Sequence, residues 1–303
     1  MFDLIVIGAG MAGMTSCLYA LRNGKKVLIL EKEGVGGQIA KSPKVENYPT
    51  VKEISGASLS DQMFDQILSL GAQFELENVQ SLTKEGDVFT VKTDYATHQA
   101  KSVVLATGAK HRMLNLPNEE KFIGKGVYYC AICDGPFFAG EEVALIGDAN
   151  SALQYALMLS SYCKKVHMFT LFDRFFGEDA LQQRVREKEN IVITHNASAF
   201  EFIGSDSFEG VKFKLSSGDV IQHRTKAVFV AIGQVPDNEI YRDLADLDKN
   251  GYIIADEKCG TKTPGLFVAG DCRTKEVRQV TTAIGDGAVA GTNACKYLDS
   301  LKG

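Results

Sequence analysis

The 303-residue sequence is short of several things, and each shortage closes off a class of protein. No uncharged apolar run approaches the ~18 residues that a membrane-spanning helix needs, so no membrane partner is expected. There is no surplus of positive charge. Lys and Arg number 33 against 38 Asp and Glu, a net charge of −5, so the field of a nucleic-acid binder is missing. The start, Met1-Phe2-Asp3-Leu4-Ile5-Val6-Ile7-Gly8, lacks a basic leader and runs straight into a strand, so no secretory signal is expected. Low-complexity linkers are absent, and 45% hydrophobic with 23% charged residues is ordinary for a soluble globular chain. Cysteine is too scattered for a disulfide framework. Of the seven, Cys17, Cys163, Cys259, Cys272 and Cys295 are isolated and two form one Cys-x-x-Cys. That pattern predicts a reducing, cytoplasmic setting and a single redox or metal pair.

What is present is a recurring grammar of short apolar runs. They are Leu4–Gly8, Val27–Leu30, Val103–Gly108, Val143–Gly147, Val166–Phe169, Val228–Gly233 and Leu266–Gly270. Their hydrophobicity is continuous rather than alternating, which predicts strands buried on both faces of a parallel sheet. Met11–Asn23 reads as a crossover helix with Gly24 at its C-terminal cap. The unit that opens at Gly8 closes at Ala106-Thr107-Gly108; a second copy opens at Gly147 and closes at Ala231-Ile232-Gly233. The predicted fold class is α/β, with two tandem dinucleotide-binding (Rossmann-like) domains. The length agrees, at roughly 100–200 residues per domain. The tail beyond about Leu247, with a strand at Leu266–Ala269 and a helix over Ile284–Leu298, is too short to fold alone and is expected to complete the first domain. The expected domains are therefore 1–112 with 245–303, and 113–244, with hinges near Lys110–Asn118 and Val235–Leu244.

Gly8-Ala9-Gly10-Met11-Ala12-Gly13 follows a strand and opens a helix. Gly8 makes the tight turn, Gly10 lets the backbone approach a pyrophosphate, and Gly13 allows the helix to pack on the strand. A diphosphate then rests on the helix N-terminus, where free N–H groups and the helix dipole favour anions. Glu31 ends the second strand and can accept a ribose hydroxyl. The competing reading is a strand–helix turn that needs glycine for packing alone. Further on, Cys130-Ala131-Ile132-Cys133-Asp134-Gly135 can close a small disulfide or supply half a zinc site. Zinc needs two more ligands at comparable spacing, and neither the isolated cysteines nor the five histidines provide them, so a redox disulfide is expected.

Gly36-Gly37-Gln38-Ile39, then Gly265–Asp271, Arg278-Gln279-Val280 and Gly285-Asp286-Gly287, carry a resemblance that covers nearly the whole chain. The sequence resembles the low-molecular-weight thioredoxin reductases, two-domain flavoproteins, in combination with the motifs above. The resemblance implies that FAD is the cofactor of the first site. Glu31 would take the adenosine ribose; Gly37, Gln38 and Asn47 would line the flavin side; Thr107 and Gly108 would close over the diphosphate. Asp271 would bond the ribityl chain, and Gln279 and Val280 would contact the flavin edge. Met11, Ala12, Gly36, Val79, Ala106, Gly270 and Arg278 complete the expected FAD set. The resemblance also implies that Cys133 faces the flavin and that Cys130 attacks the disulfide of a thioredoxin. Asp134 would be the acid/base that moves the thiol proton, held by an Asp134-Gly135-Pro136 turn. A homodimer is implied as well.

The second copy departs from the family. Where a Gly-rich loop should bind the NADPH diphosphate, Gly147 is followed by Asp148 and Ala149, a negative charge and a Cβ. Where cationic side chains should clamp the 2′-phosphate, the positions are Thr170, Leu171, Phe172 and Phe176, with Arg174 off register. Several charge-assisted contacts at ~1.5–3 kcal/mol each are thereby lost. NADH has no carboxylate at the strand end, and Asp173 is a weak substitute. Phe169, Leu171, Phe172, Phe175 and Phe176 are expected to fill the space. This pattern is similar to the branch of flavin thioredoxin reductases that take electrons from ferredoxin. Lys110, His111, Arg112, Lys121, Lys125, Arg273, Lys275 and Arg278 are candidates for a basic patch that meets an acidic donor. Two alternatives stand beside this expectation: an NAD(P)H-dependent reductase with a divergent clamp, and a non-catalytic flavin/dithiol redox sensor.

Overall fold

The first apolar run forms the C-terminal part of strand β1 (Phe2–Ile7), and the computed structural model describes residues 1–42 and 45–301. The chain continues through α1 (Met11–Arg22), β2 (Val27–Glu31), α2 (Gly56–Ser69) and β3 (Gln73–Leu76), then a meander of β4 (Val79–Glu85), β5 (Val88–Thr93) and β6 (Thr97–Leu105). After β7 (Val127–Tyr128) and a one-turn helix at Ala131–Asp134 come β8 (Glu142–Ile146), α3 (Asn150–Ser160), β9 (Lys165–Phe169), α4 (Asp179–Arg186) and β10 (Ile191–Thr194). An antiparallel set follows, β11 (Ala197–Ile203), β12 (Gly210–Leu215) and β13 (Val220–Arg224), and then β14 (Val228–Val230). The return carries β15 (Leu266–Val268) and α5 (Val280–Ser300).

Two compact units result: Met1–Lys110 with Val235–Gly303, and His111–Gln234. In the first, β3, β2, β1, β6 and β15 run parallel in that order, with β5 and β4 antiparallel on the far side of β6. Leu4 and Val6 pack under α1 and α5, whereas Ile5 and Ile7 face the opposite layer with Leu28, Phe89 and Val91. Both faces are dry, which is why the strand sequence does not alternate. Each such side chain contributes about 1.5–3 kcal/mol by leaving water. Helices α1 and α5 approach closely because Gly287 and Gly291 present no side chain. A Cβ on either would collide with the carbonyls of Ala12 or Ser16. The Ser16 hydroxyl donates to Gly287 O at 3.1 Å across this contact.

The second unit repeats the plan. β10, β9, β8, β14 and β7 form a five-stranded parallel sheet. One face takes Leu153, Ala156 and Leu159 of α3; the other takes the three-stranded sheet, where Phe169 stacks on Phe213 at 3.9 Å. Both sheets are Rossmann-like, as the runs predict. Boundaries differ from expectation: the first segment of unit one ends at Lys110 and not at 112. Residues 235–244 belong with the first unit, because Tyr241 and Ala245 are buried in its core and Asn238 donates to Gly251 O and Cys272 O. Helix α5 begins at Val280, ahead of Ile284, because Gln279 and Thr282 close a reciprocal capping box at its start.

Candidate functional site

In the first unit the glycine loop is shaped by its own backbone. Gly8 sits at φ +106°, and a Cβ there would collide with the Ala106 carbonyl. Gly13 likewise leaves no room, since its Cβ would strike Gly8 O. Gly10 is different: the nearest atom to a Cβ there is Gly36 O at 3.9 Å, so packing within the protein does not require glycine. What remains is an open approach to the first turn of α1, whose N-cap, Gly10, has no side-chain cap and whose first turn holds no acid. Met11, Ala12 and Gly13 supply that turn, and Gly36 is bridged to Gly10 with its N–H donating to Ala9 O at 2.8 Å. An open turn of free N–H groups with no acid beside it suits an anion such as a diphosphate.

Glu31 is fixed beside it. One carboxylate oxygen accepts the Ala9 N–H at 2.8 Å, and the other accepts the N–H groups of Lys32 and Glu33 at 2.9 Å. A pocket next to it is lined by Gly8, Glu31, Lys32, Glu77, Asn78, Val79, Thr107, Asp237 and Tyr241. Lys32, Glu77, Asn78, Asp237 and Tyr241 were not marked by any sequence motif; Lys32 follows β2, Glu77 and Asn78 join β3 to β4, and Asp237 and Tyr241 come from the 235–244 stretch. Thr107 donates to Asn238 Oδ1 at 3.0 Å, so the loop after β6 is pinned, with Ala106 buried and Gly108 at φ +68°.

Towards the other end, the structure brings Asn47 and Gln279 together, with Nδ2 donating to Oε1 at 3.2 Å. Gln38 reaches Ala109 O at 3.4 Å, and Gly37, at φ +63°, starts the 3₁₀ turn that carries it. Asp271 follows Gly270 at the end of β15. Its Oδ1 is buried without a hydrogen-bond partner, and burial pushes its carboxyl up against the pull of Lys275 and Arg278. An acceptor in that state is suited to a ligand hydroxyl. The open glycine cradle, the uncapped helix and this orphaned acceptor fit a dinucleotide with a polyol segment, as FAD has. Val280 opens α5 beside Gln279, and Arg278 lies over the Tyr252 ring at 4.2 Å.

The second unit holds the redox pair. Cys130 and Cys133 are disulfide-bonded with Cα atoms 5.3 Å apart. Cys130 caps the one-turn helix, its Sγ accepting the Cys133 N–H at 3.2 Å, a contact that favours a thiolate once the bond opens. Both cysteines are half-buried and Ile132 between them is exposed. Asp134 is 8% exposed, and burial pushes its carboxyl up to about 7. The expected turn is the junction of this helix with a 3₁₀ turn over Gly135–Phe138. The other five cysteines are buried and unpaired.

At the second glycine loop, α3 starts at Asn150 with Ala149 as an extended N-cap. The segment from Phe176 to Glu178 lies on this helix start. The Phe176 N–H donates to Asp148 O at 2.7 Å, the Glu178 N–H to Asn150 Oδ1 at 2.7 Å, and a Cβ on Gly177 would sit 2.7 Å from that same oxygen. Thr170, at the end of β9, is fully buried, with its hydroxyl on Phe172 O and His195 Nδ1, both at 2.7 Å. One expectation is corrected here. Phe169 and Phe175 are buried, but Leu171, Phe172 and Phe176 are 49–56% exposed, so backbone and not these rings covers the helix start. Phe172 and Phe176 pack edge-on against each other, and Arg174 lies over Phe176 at 5.3 Å.

The basic candidates are mostly engaged. Lys110 pairs with Glu33, Lys121 with Asp206, and Arg273 and Lys275 with Asp286. Burial drops His111 to about 4, so it is neutral at physiological pH. Arg112 and Lys125 are exposed.

Residues 2–287 match the family described as Pyridine nucleotide-disulphide oxidoreductase. Thioredoxin reductase of Listeria innocua serovar 6a is 37% identical, over 99% of this chain and 95% of its own length. The 34.2 kDa protein in rubredoxin operon of Clostridium pasteurianum is 35% identical, over 98% and 97%. The solved thioredoxin reductase of Streptococcus pyogenes MGAS5005 is 36% identical and superposes with a TM-score of 0.94 over 99% of both chains.

Proposed function

The chain belongs to the pyridine nucleotide-disulphide oxidoreductase family and is a flavin-dependent disulfide oxidoreductase with FAD as cofactor; from that premise we propose that it reduces a thioredoxin-type protein with electrons from a one-electron donor of the ferredoxin type rather than from NADPH. FAD, when bound, supplies a reductant that can collect single electrons and hand on a pair. In this reading the cradle of Gly10–Gly13 holds its diphosphate, Glu31 its ribose, and Asp271 its ribityl hydroxyls, with Asn47 and Gln279 at the ring end.

The steps carried by this chain's own residues follow thiol–disulfide chemistry. Two electrons and two protons convert the Cys130–Cys133 disulfide to two thiols. The Cys130 thiolate attacks one sulfur of the partner's disulfide, forming a mixed disulfide and releasing one partner thiolate, which takes a proton. Cys133 then attacks Cys130 Sγ, re-forms the disulfide and releases the second partner thiol. Asp134, half-protonated near pH 7, is suited to give and take the proton at these sulfurs.

The observation that carries the choice of donor is Thr170. The strand-end position that should grip a nicotinamide ribose or its phosphate holds a buried hydroxyl already turned inward to Phe172 O and His195. The 176–178 backbone over the start of α3 supports the same reading. The uncapped first turn of α3 favours a second reading, an NAD(P)H-dependent reductase with a divergent clamp. A homodimer in the cytoplasm is part of the proposal, and the five buried unpaired thiols suit a reducing compartment. Turnover tests the reading: reduced ferredoxin should drive appearance of thioredoxin thiols in the native protein and none in Cys130→Ser. Equal turnover with NADPH would overturn the donor assignment.

A further inference from the structure

Asp286 lies one turn and a half into α5, next to the glycine contact that locks this helix to α1. Its side chain is only 14% exposed and every oxygen is engaged. Oδ1 accepts from Arg273 Nη1 at 3.0 Å; Oδ2 accepts from Lys275 Nζ at 2.8 Å and from the Gly270 N–H at 3.1 Å. Arg273 and Lys275 are themselves 15% and 11% exposed, and Arg273 Nη2 also donates to Asp256 O at 3.3 Å. One carboxylate on a rigid helix pair thus holds both sides of the Gly270–Lys275 loop. Between those anchors stands Asp271, whose Oδ1 is buried and unpartnered. A lone buried acceptor carries its full desolvation cost, so the surroundings must hold it there against that cost.

We propose that Asp286 is a positioning residue: through Gly270, Arg273 and Lys275 it holds the Asp271 carboxylate in the orientation that receives the cofactor. This rests on the reading that Asp271 bonds FAD. The role is electrostatic as well as steric, because three donors, two of them cationic, converge on a single anion in a dry site.

The test is a double-substitution cycle read as the dissociation constant of FAD from the apoprotein, by recovery of free-flavin fluorescence. Asp271→Asn is expected to weaken FAD about tenfold, the scale of one lost charged hydrogen bond. Asp286→Asn is expected to weaken it by a similar factor. The effect of Asp286→Asn should then vanish in the Asp271→Asn background, since it acts through that carboxylate. Arg273→Gln, which leaves α5 intact, should reproduce a several-fold loss with the same dependence on Asp271 if Asp286→Asn does not fold. Unchanged or tighter FAD binding in Asp286→Asn, or an equal loss in both backgrounds, would overturn the proposal. An unchanged constant in Asp271→Asn alone would instead sink the reading of the FAD site on which it rests.

Discussion

Asp134 offers the sharpest test of the chemistry, because one substitution moves two independent observables. Its carboxyl is buried and raised to about 7. At pH 7 about half of it carries the proton, and at pH 8 roughly one-tenth. If Asp134 protonates the departing thiolate, and Cys130 attacks as the thiolate that its contact with the Cys133 N–H favours, the reaction of pre-reduced enzyme with an oxidised thioredoxin should slow about fivefold from pH 7 to pH 8 and about tenfold per unit beyond. Asp134→Asn, of nearly the same shape, should lose about 10²-fold in that single-turnover rate and show no such slope, on the scale of general acid catalysis. Stability should move the opposite way. A carboxyl whose pKa is raised on folding favours the native state most at low pH, below its unfolded value near 3.8, and that advantage is lost as pH rises through about 7. The native enzyme should therefore lose stability between those values. Asp134→Asn should escape this loss and be the more stable protein at pH 8, by on the order of 2–4 kcal/mol for a shift of about three units. Thermal unfolding across pH reads the second effect and stopped mixing with thiol detection the first. A variant with the native rate and slope would refute the acid/base role, whatever its stability.

Other consequences are separable. Cys133→Ser should keep FAD bound and abolish disulfide reduction, checked by the flavin spectrum beside thiol release. Gly10→Val should fold with an unchanged unfolding temperature in the apoprotein yet bind FAD far more weakly, because the Cβ points into the open cradle. Gly13→Val should fail in folding itself, since its Cβ strikes Gly8 O; circular dichroism separates the pair. Phe213→Ala should cost about 3–5 kcal/mol in denaturant unfolding, the range for a fully buried phenyl, here stacked on Phe169.

The parallel strands were legible because burial on both faces writes itself as unbroken runs of Val, Ile and Leu. The glycine turn and the Cys-x-x-Cys were legible because a tight strand–helix turn and a short disulfide each demand a residue type at a fixed spacing. What escaped is what depends on distant residues. Asn238 ties Thr107 to Cys272 across long sequence separations, so the 235–244 stretch joined the first unit with no local signal. Asp286 reads as an ordinary helical acid until the fold brings Arg273, Lys275 and Gly270 to it. The aromatic run 169–176 stands out in the sequence, but composition alone does not say which rings turn inward. Phe169 and Phe175 do, and Phe172 and Phe176 do not.

The source of the electrons turns on one measurement: the oxidised holoprotein is mixed without oxygen with NADPH, with NADH or with reduced ferredoxin, and the flavin absorbance is followed. Loss of the band with ferredoxin, and none on the turnover timescale with either nicotinamide, is the predicted result. Rapid bleaching by NADPH or NADH would contradict it and return this chain to the nicotinamide-dependent enzymes.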